Sequence, residues 1–231
     1  MFIRTDGVGR GICAPALLGL IVTASASADI VYENDFEGLI GPEWSDTTTS
    51  TTPIGSRGFL GEFSSEDVRL TLTGLPSHEL VSVSFELFVI RTWDGNGNGQ
   101  MPGPDRWLFG ADGETMVDTT FAVGPTDSVQ RQYFPVMSEI EAQEFAPRTG
   151  AIQNDSLGYT WDGESRDSVY TFNLEFAHTS KFLVLDFSAI GLQGINDESW
   201  GIDNVMVQAV PTPGGLALLG LGGAFAARRR R

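Results

Sequence analysis

The sequence of 231 residues has little cysteine, little histidine and little positive charge. Its single cysteine is Cys13, so the chain beyond that residue contains no disulfide and no thiol. A bound metal ion is then the obvious alternative cross-link. The two histidines, His78 and His178, fit no zinc-ligand spacing, and no Gly-x-Ser-x-Gly motif occurs. The sequence therefore gives no support to zinc chemistry or to a serine-hydrolase mechanism.

The scarcity of basic residues is most pronounced in the middle of the chain. Between Asp29 and Ala209 there are 29 acidic and 8 basic residues, a net charge of −21. Such a surface repels nucleic acid and anionic lipid, and it supplies many oxygen ligands for hard cations. Nucleic-acid binding is excluded on this ground.

The first 28 residues have the three parts of a secretory signal peptide. Arg4 and Arg10 precede a mostly apolar segment at 12–22, and a run of small residues ends at Ala28. This order predicts export and cleavage after Ala28, so that residues 29–209 form the folded domain. A membrane anchor is the alternative, but the apolar segment is short.

The C-terminal residues 210–231 also have three parts. A Pro/Gly motif is followed by an apolar run at 216–227 and by an arginine cluster. The motif consists of Val210, Pro211, Thr212, Pro213 and Gly214, and the cluster consists of Arg228, Arg229, Arg230 and Arg231. This tail resembles the PEP-CTERM sorting signal, in a Val-Pro-Thr-Pro-Gly form, that exosortase-type enzymes of Gram-negative bacteria read. The resemblance implies an exosortase-type sorting protease as partner, and delivery to the cell surface or an extracellular matrix.

The apolar run of the tail is short for a membrane helix. As a helix it would span about 18 Å, whereas the hydrocarbon layer is roughly 30 Å thick. We therefore expect a transient anchor that is removed during sorting. A permanent C-terminal membrane helix is the alternative.

The body of the chain alternates apolar and polar residues with a period of two, which is typical of half-buried β-strands. In 81–89 the odd-numbered residues are all apolar, and in 170–176 the even-numbered residues are. Leu183, Leu185 and Phe187 continue the pattern. These segments predict strands that each bury one face.

Many short strands and frequent turn residues favour an all-β fold, an antiparallel β-sandwich of the jelly-roll, concanavalin-A-like kind. Asp112-Gly113 predicts a tight hairpin between strands at 106–110 and 114–121. We expect the first strand, at 30–36, to pair with the last, at 200–208. Residues 47–53 are expected to form a polar loop, and Ser138 with Glu141 predicts one short helix.

One internal segment has the ligand spacing of a calcium loop. Asp94, Asn96 and Asn98 occupy loop positions one, three and five, Gly99 occupies position six, and Asp105 occupies position twelve. The departures are Asp in place of Glu at position twelve and strands in place of flanking helices. The alternative is a long Asn/Gly-rich connection without a metal.

A second candidate calcium site joins the two ends of the body. Asp203 has the parity of Val205 and Val207, so it should point toward the apolar layer, where an unpaired carboxylate is costly. The segment 34–37 with Trp44, and the segment 200–205, resemble the opening and closing strands of MAM-type and other concanavalin-A-like jelly rolls. That resemblance implies a structural Ca²⁺ held by Glu37 and Asp203. The alternative is that both carboxylates cap turns or accept backbone N–H bonds.

The tryptophans suggest a ligand surface. Trp93, Trp107 and Trp200 lie in strand-like runs and are expected in the core. Trp161 lies in a loop-like segment, and an exposed indole can stack on a sugar ring. Trp161 is therefore the candidate ligand-binding residue.

Together these features predict an exported bacterial protein with a calcium-stabilised β-sandwich that binds glycan or builds matrix and is not an enzyme. No residue is assigned as catalytic or as binding an organic cofactor. The alternative is a secreted carbohydrate-active enzyme, a glycosidase or lyase, with paired carboxylates among the acidic residues.

Substitutions in the tail test the sorting prediction. Replacing Arg228 to Arg231 by serine, or Pro211 and Pro213 by alanine, should block surface delivery or processing, because each change removes one part of the recognised order. Intact-mass measurement of surface-derived wild-type protein is the direct check. If Ala227 and the arginines are still attached, processing by a sorting protease is wrong.

Overall fold

The fold consists of antiparallel β-strands in two facing sheets. The computed structural model describes residues 27–97, 102–126, 128–138 and 143–211. In this part of the chain all regular elements are strands, which confirms the all-β prediction there. None of the described residues belongs to a helix long and apolar enough to cross a lipid bilayer.

Several predictions fall on other residues. The signal peptide at 1–28 and the sorting tail at 210–231 lie almost entirely outside the described residues, and so do residues 139–142 of the short helix expected between Ser138 and Pro147. These stay predictions. The described residues all belong to one compact unit, Ala26–Thr212.

The larger sheet contains seven strands in the described part of the chain. They are β1 (Asp29–Asn34), β2 (Thr49–Thr51), β3 (Gly58–Phe63), β5 (Leu80–Arg91), β8 (Gln153–Asn154), β11 (Asp167–Ala177) and β13 (Glu198–Val210). Their order is β2-β3-β13-β5-β11-β8, and β1 also pairs with β13. The expected pairing of the first strand with the last is confirmed, with Tyr32 opposite Val207.

The smaller sheet has the order β4-β12-β6-β7. Its strands are β4 (Val68–Thr73), β6 (Arg106–Ala111), β7 (Glu114–Thr120) and β12 (Phe182–Ile190). The predicted hairpin joins β6 to β7. Asp112 and Gly113 both have positive φ angles, 51° and 84°, as a type I′ turn requires. A separate two-stranded ribbon pairs β9 (Thr160–Trp161) with β10 (Glu164–Ser165).

Aromatic side chains fill the space between the two sheets. Phe85 of β5 lies near the centre, only 1% exposed. Its ring centroid is 5.7 Å from that of Trp107, 5.6 Å from Phe109 and 5.4 Å from Phe187, all in the smaller sheet. It also stacks on Phe172 of β11 at 5.0 Å. The residues predicted to face inward in β5 and β12 are all buried here, and so are Trp93, Trp107 and Trp200.

A second, smaller apolar cluster covers the outer face of the larger sheet. It contains Phe59, Phe88, Ile90, Leu157, Tyr159 and Val169. Leu157 and Tyr159 come from the segment before β9, so this cluster fixes the segment onto the sheet. The ribbon of β9 and β10 is held in place as a result.

The segment at 47–53 is not only a polar loop, because its centre forms β2. Ser50 lies opposite Phe59, and Thr51 lies opposite Gly58. Threonine is β-branched and favours extended structure, and an edge position leaves its hydroxyl groups in solvent. Polarity therefore marked an edge strand here.

Phe85→Ala should lower the free energy of unfolding by about 3–5 kcal/mol, because it leaves a cavity between the sheets. The control is Phe182→Ala, since Phe182 is 49% exposed and its loss should cost less than about 1 kcal/mol. Denaturant unfolding measures both. Equal costs would contradict the placement of Phe85 in the core.

Candidate metal centre and ligand cavity

Three carboxylates meet at one end of the two sheets. Asp94 follows β5, Asp105 immediately precedes β6, and Glu198 is the first residue of β13. One oxygen of each lies within 4.8 Å of the others. Their exposed fractions are 6%, 0% and 0%. The structure thus brings together Asp94 and Asp105, two of the ligands that the loop spacing predicted. It adds Glu198 to them.

The hydrogen-bond partners of this carboxylate triad are neutral amides. Gln130 Nε2 donates to Asp94 Oδ1 at 2.7 Å. The side-chain amide of Gln193 donates to Asp94 Oδ2 and to Glu198 Oε1, each at 3.1 Å, and its backbone N–H donates to Glu198 Oε2 at 2.6 Å. Asp105 Oδ2 accepts the backbone N–H of Asp94. Asp105 Oδ1 is buried and has no hydrogen-bond partner.

Burial makes the triad reluctant to ionise. Burial, followed by the negative charge of Glu198, raises the pKa of Asp105 to about 8. Burial is also the main reason that the pKa of Glu198 is raised to about 7, and the charges of Asp94 and Asp197 act in the same direction. The pKa of Asp94 is raised by burial too. Near neutral pH the cluster therefore needs positive charge, from protons or from a cation.

The rest of the predicted calcium loop is used differently. Asn96 Nδ2 donates to Glu144 Oε1 at 3.1 Å, and Asn96 Oδ1 accepts a hydrogen bond from the Thr120 hydroxyl. Its amide thus faces those residues, and Asn98 lies outside the described residues. Gly95 has a φ of 78°, and a Cβ at this position would lie 2.0 Å from the Arg131 carbonyl oxygen. Only glycine fits where the loop crosses the Arg131 segment.

The second predicted site is organised by an arginine. Arg57 Nη2 donates to Asp203 Oδ2, and to Glu86 Oε2 at 2.5 Å. Asp203 Oδ1 also accepts the backbone N–H of Asn204 at 2.6 Å. Glu37 Oε1 accepts the backbone N–H of Gly58 at 2.8 Å. A calcium ion shared by Glu37 and Asp203 stays a prediction, and such an ion would compete with the guanidinium of Arg57.

A β-bulge explains why Asp203 does not face the layer between the sheets. Asp203 lies opposite Glu86 and Met206 lies opposite Ser84, so Asn204 and Val205 both stand against Phe85. Asn204 has a φ of 52°. The extra residue changes the parity of β13, so Asp203 shares the outer face with Glu86. The parity argument was therefore wrong about its direction, although Asp203 is only 3% exposed.

A cavity of about 420 Å³ adjoins the triad and shares Asp94 with it. Trp161 forms part of its wall and is 42% exposed. Val123, Pro125 and Val129 add apolar surface. The polar lining residues are Thr92, Asp94, Ser128, Gln130, Arg166 and Asp197.

Asp167 organises the chain that presents Trp161. This residue is fully buried, and its carboxylate accepts four backbone N–H groups. The donors are Ser156, Leu157, Gly158 and Tyr159, at 2.8 to 3.2 Å. Asp162 and Gly163, with φ angles of 48° and 79°, then turn the ribbon so that Trp161 lies opposite Glu164. Trp161 was expected in a loop, and it lies in this short ribbon.

Sequence reasoning missed Glu198 as a partner of the predicted loop. It identified Asp94 and Asp105 because both belong to one segment. Glu198 joins them through the register of β13 on β5, in which it lies opposite Arg91. Its position at the entry to the last strand was the available signal, but only the strand pairing shows which loop it reaches.

Comparisons with known proteins give similarity in structure only. No protein-family model matches the chain, and no curated sequence matches it. A family 35 carbohydrate-binding module from Clostridium thermocellum has a TM-score of 0.35 and 11% identity over 79% of this chain and 98% of that one. TmCBM27, a carbohydrate-binding module described as recognising mannan, has a TM-score of 0.34 and 16% identity over 80% and 99%. The catalytic domain of Agl-KA has a TM-score of 0.34 and 10% identity over 86% and 30%. Similarity at this level does not identify a ligand.

The raised pKa values predict how metal-free stability depends on pH. Unfolded carboxyl groups have a pKa of about 4, whereas those of Glu198 and Asp105 are about 7 and about 8 in the folded protein. Between about pH 4 and about pH 8 the unfolded chain releases protons that the folded chain retains, so the free energy of unfolding falls as pH rises.

Unfolding in the presence of a chelator, measured across this window, checks the prediction. Glu198→Gln should reduce the fall, because it removes one of the two groups, and Glu175→Gln on the exposed face of β11 is the control. A difference between wild type and Glu198→Gln that does not change with pH would contradict it.

Proposed function

We propose that this chain is an exported protein whose β-sandwich binds a neutral polysaccharide without cleaving it. The observation that carries the proposal is Trp161, a large aromatic side chain left 42% exposed on the wall of a cavity that has both apolar and polar lining residues. The other tryptophans of the described residues, Trp44, Trp93, Trp107 and Trp200, are at most 4% exposed. Exposure of Trp161 is thus an exception to how this fold treats the residue type.

The lining of the cavity suits a ligand that is apolar on one face and rich in hydroxyl groups at its edge. The indole of Trp161 can stack on the C–H face of a sugar ring. The side chains of Arg166 and Gln130 offer hydrogen-bond donors, while the carboxylates of Asp94 and Asp197 offer acceptors. Hydroxyl groups both donate and accept, so this mixture fits them better than it fits a purely anionic ligand.

Net charge selects among the polysaccharides. The segment from Asp29 to Ala209 has a net charge of −21, which repels uronic-acid and sulfated polymers over long range. Two carboxylates, of Asp94 and Asp197, also line the cavity against one guanidinium, of Arg166. A neutral polysaccharide is the ligand class that this charge favours.

Binding without catalysis is supported by the placement of the carboxylates. Asp105 and Glu198 are both 0% exposed, so neither reaches a polymer lying in the cavity. Glycosidases need two carboxyl groups on opposite sides of the scissile bond, about 5 to 9.5 Å apart. The oxygens of the triad are closer together than this, and of its three residues only Asp94 lines the cavity.

The ends of the chain supply the rest of the proposal. The leader at 1–28 and the tail at 210–231 support export and delivery to the cell surface or matrix by an exosortase-type partner. The described chain passes repeatedly between the two sheets, from β3 to β4 to β5 to β6, which supports the finer assignment of a jelly roll of the concanavalin-A-like class.

Trp161→Ala should weaken polysaccharide binding at least about tenfold, equivalent to about 1.4 kcal/mol, because the stacking surface is lost. Affinity electrophoresis or calorimetry against a panel of neutral and acidic polysaccharides measures this. Phe182→Ala is the matched control, since Phe182 is an exposed aromatic residue that lines a different hollow. The affinity of this variant should stay within twofold of wild type, a difference of about 0.4 kcal/mol.

Three results would overturn the proposal. The first is unchanged affinity in Trp161→Ala, and the second is no binding of any neutral polymer by wild type. The third concerns catalysis: release of reducing ends from a bound polymer would show that the protein is an enzyme.

A further inference from the structure

The carboxylate triad lacks the compensation that other buried acidic residues of the described chain have. Asp167 is fully buried and accepts four backbone N–H groups. Asp203 is 3% exposed and pairs with Arg57. At the triad, by contrast, the donors are neutral amides and are fewer than the oxygens they serve. We propose that a hard divalent cation of the calcium class binds between Asp94, Asp105 and Glu198.

The spacing of the oxygens fits one such ion. Ca²⁺ binds oxygen ligands at 2.3–2.6 Å, so two ligands of one ion lie at most about 5 Å apart. The three carboxylates each offer an oxygen, and these oxygens lie within 4.8 Å of one another. A single central ion would therefore lie at or close to bonding distance from all three, so that small side-chain movements complete its coordination.

Asp105 Oδ1 provides an independent reason. The residue is 0% exposed, and this oxygen has no hydrogen-bond partner, although the other oxygen accepts the N–H of Asp94. Leaving a buried carboxylate oxygen unpaired costs free energy of the same order as a whole hydrogen bond or more. An ion in the triad gives it a ligand bond in place of a lost contact with water.

The chemistry of the donor set selects the class of ion. All three ligands are carboxylates, and neither histidine nor cysteine belongs to the group. Carboxylate oxygens suit Ca²⁺, Mg²⁺ and Mn²⁺, whereas Zn²⁺ and Cu²⁺ favour nitrogen and sulfur. Mg²⁺ demands a near-ideal octahedron at 2.0–2.1 Å and retains its waters, so a buried and irregular set favours Ca²⁺.

An ion here joins three segments that are far apart in sequence. It ties the end of β5 to the approach to β6, which crosses from the larger sheet to the smaller, and to the start of β13. Such a cross-link does the work that a disulfide does in other exported domains. It also fixes Asp94, whose side chain lines the cavity.

Calorimetric titration of chelator-treated full-length protein with CaCl₂ tests the proposal, with MgCl₂ as the comparison ion. Wild type should bind Ca²⁺ with a stoichiometry of one ion per chain. Its affinity for Ca²⁺ should exceed its affinity for Mg²⁺. At a hundred times the dissociation constant, Ca²⁺ should raise the ratio of folded to unfolded protein about a hundredfold, seen as a higher melting temperature. No polysaccharide is present, so the outcome is independent of the proposed function.

The variants Asp105→Asn and Glu198→Gln distinguish the triad from the second candidate calcium site, that of Glu37 and Asp203. Both substitutions nearly conserve volume while removing a charge, so melting in chelator shows directly that each variant folds. Each should weaken Ca²⁺ binding at least tenfold and reduce the shift in melting temperature to about half or less. Asp203→Asn is the matched control, a buried carboxylate at the arginine-paired site, and it should keep both.

Two sets of results would contradict the proposal. Absence of calcium binding by wild type overturns the proposal, as does retention of wild-type affinity in both triad variants. If Asp203→Asn loses calcium binding while the triad variants retain it, the ion binds at the site of Glu37 and Asp203 and the proposal is wrong.

Discussion

Phe85 lies where the two sheets meet, and the contacts of its ring with Trp107, Phe109 and Phe187 join one sheet to the other. No disulfide can share this task, because the only cysteine is Cys13. The free energy that holds the sheets together therefore comes mainly from burial of this aromatic layer. The side chains at the ends of these strands, including the carboxylate triad, are therefore positioned by the contact between the two sheets.

The triad depends on this arrangement, whereas the Trp161 wall of the cavity depends on the outer cluster. Asp94 and Glu198 extend from strands of the larger sheet, whereas Asp105 leads into a strand of the smaller one. The carboxylates can converge only if the two sheets hold a fixed separation and twist. Trp161 depends on the opposite face of the larger sheet, where Tyr159 packs in the outer cluster. The two apolar layers thus position the two halves of the site independently.

Patterns with a local cause were readable from the sequence. Alternation in 81–89 predicted the inward face of β5, and Asp112-Gly113 predicted the turn between β6 and β7, because period and turn chemistry act over a few residues. Asp94 and Asp105 were paired by their spacing in one segment. Trp161 was separated from the core tryptophans by the turn residues around it.

Features that depend on distant pairing were not readable. Arg57 reaches Asp203 across 146 residues of sequence, and nothing in either neighbourhood indicates the other. Glu198 meets Asp94 only through the register of β13 on β5. The bulge at Asn204 reverses the parity of one strand halfway along, so a rule that holds for Val205 and Val207 fails at Asp203. In each case the position of the side chain is decided by strand pairing between residues that are far apart in sequence.

The position of β13 has a consequence for the time at which the protein can fold. It is the last strand of the described chain, yet it lies inside the larger sheet, with β5 on one side and both β1 and β3 on the other. The β6–β7 hairpin can form as soon as its own residues are made, but β1 has no partner until residues 205–209 arrive. A nascent chain must therefore carry exposed strand edges throughout its synthesis. A chain that ends before residue 198 would keep those edges, and its expected fate is aggregation or proteolysis.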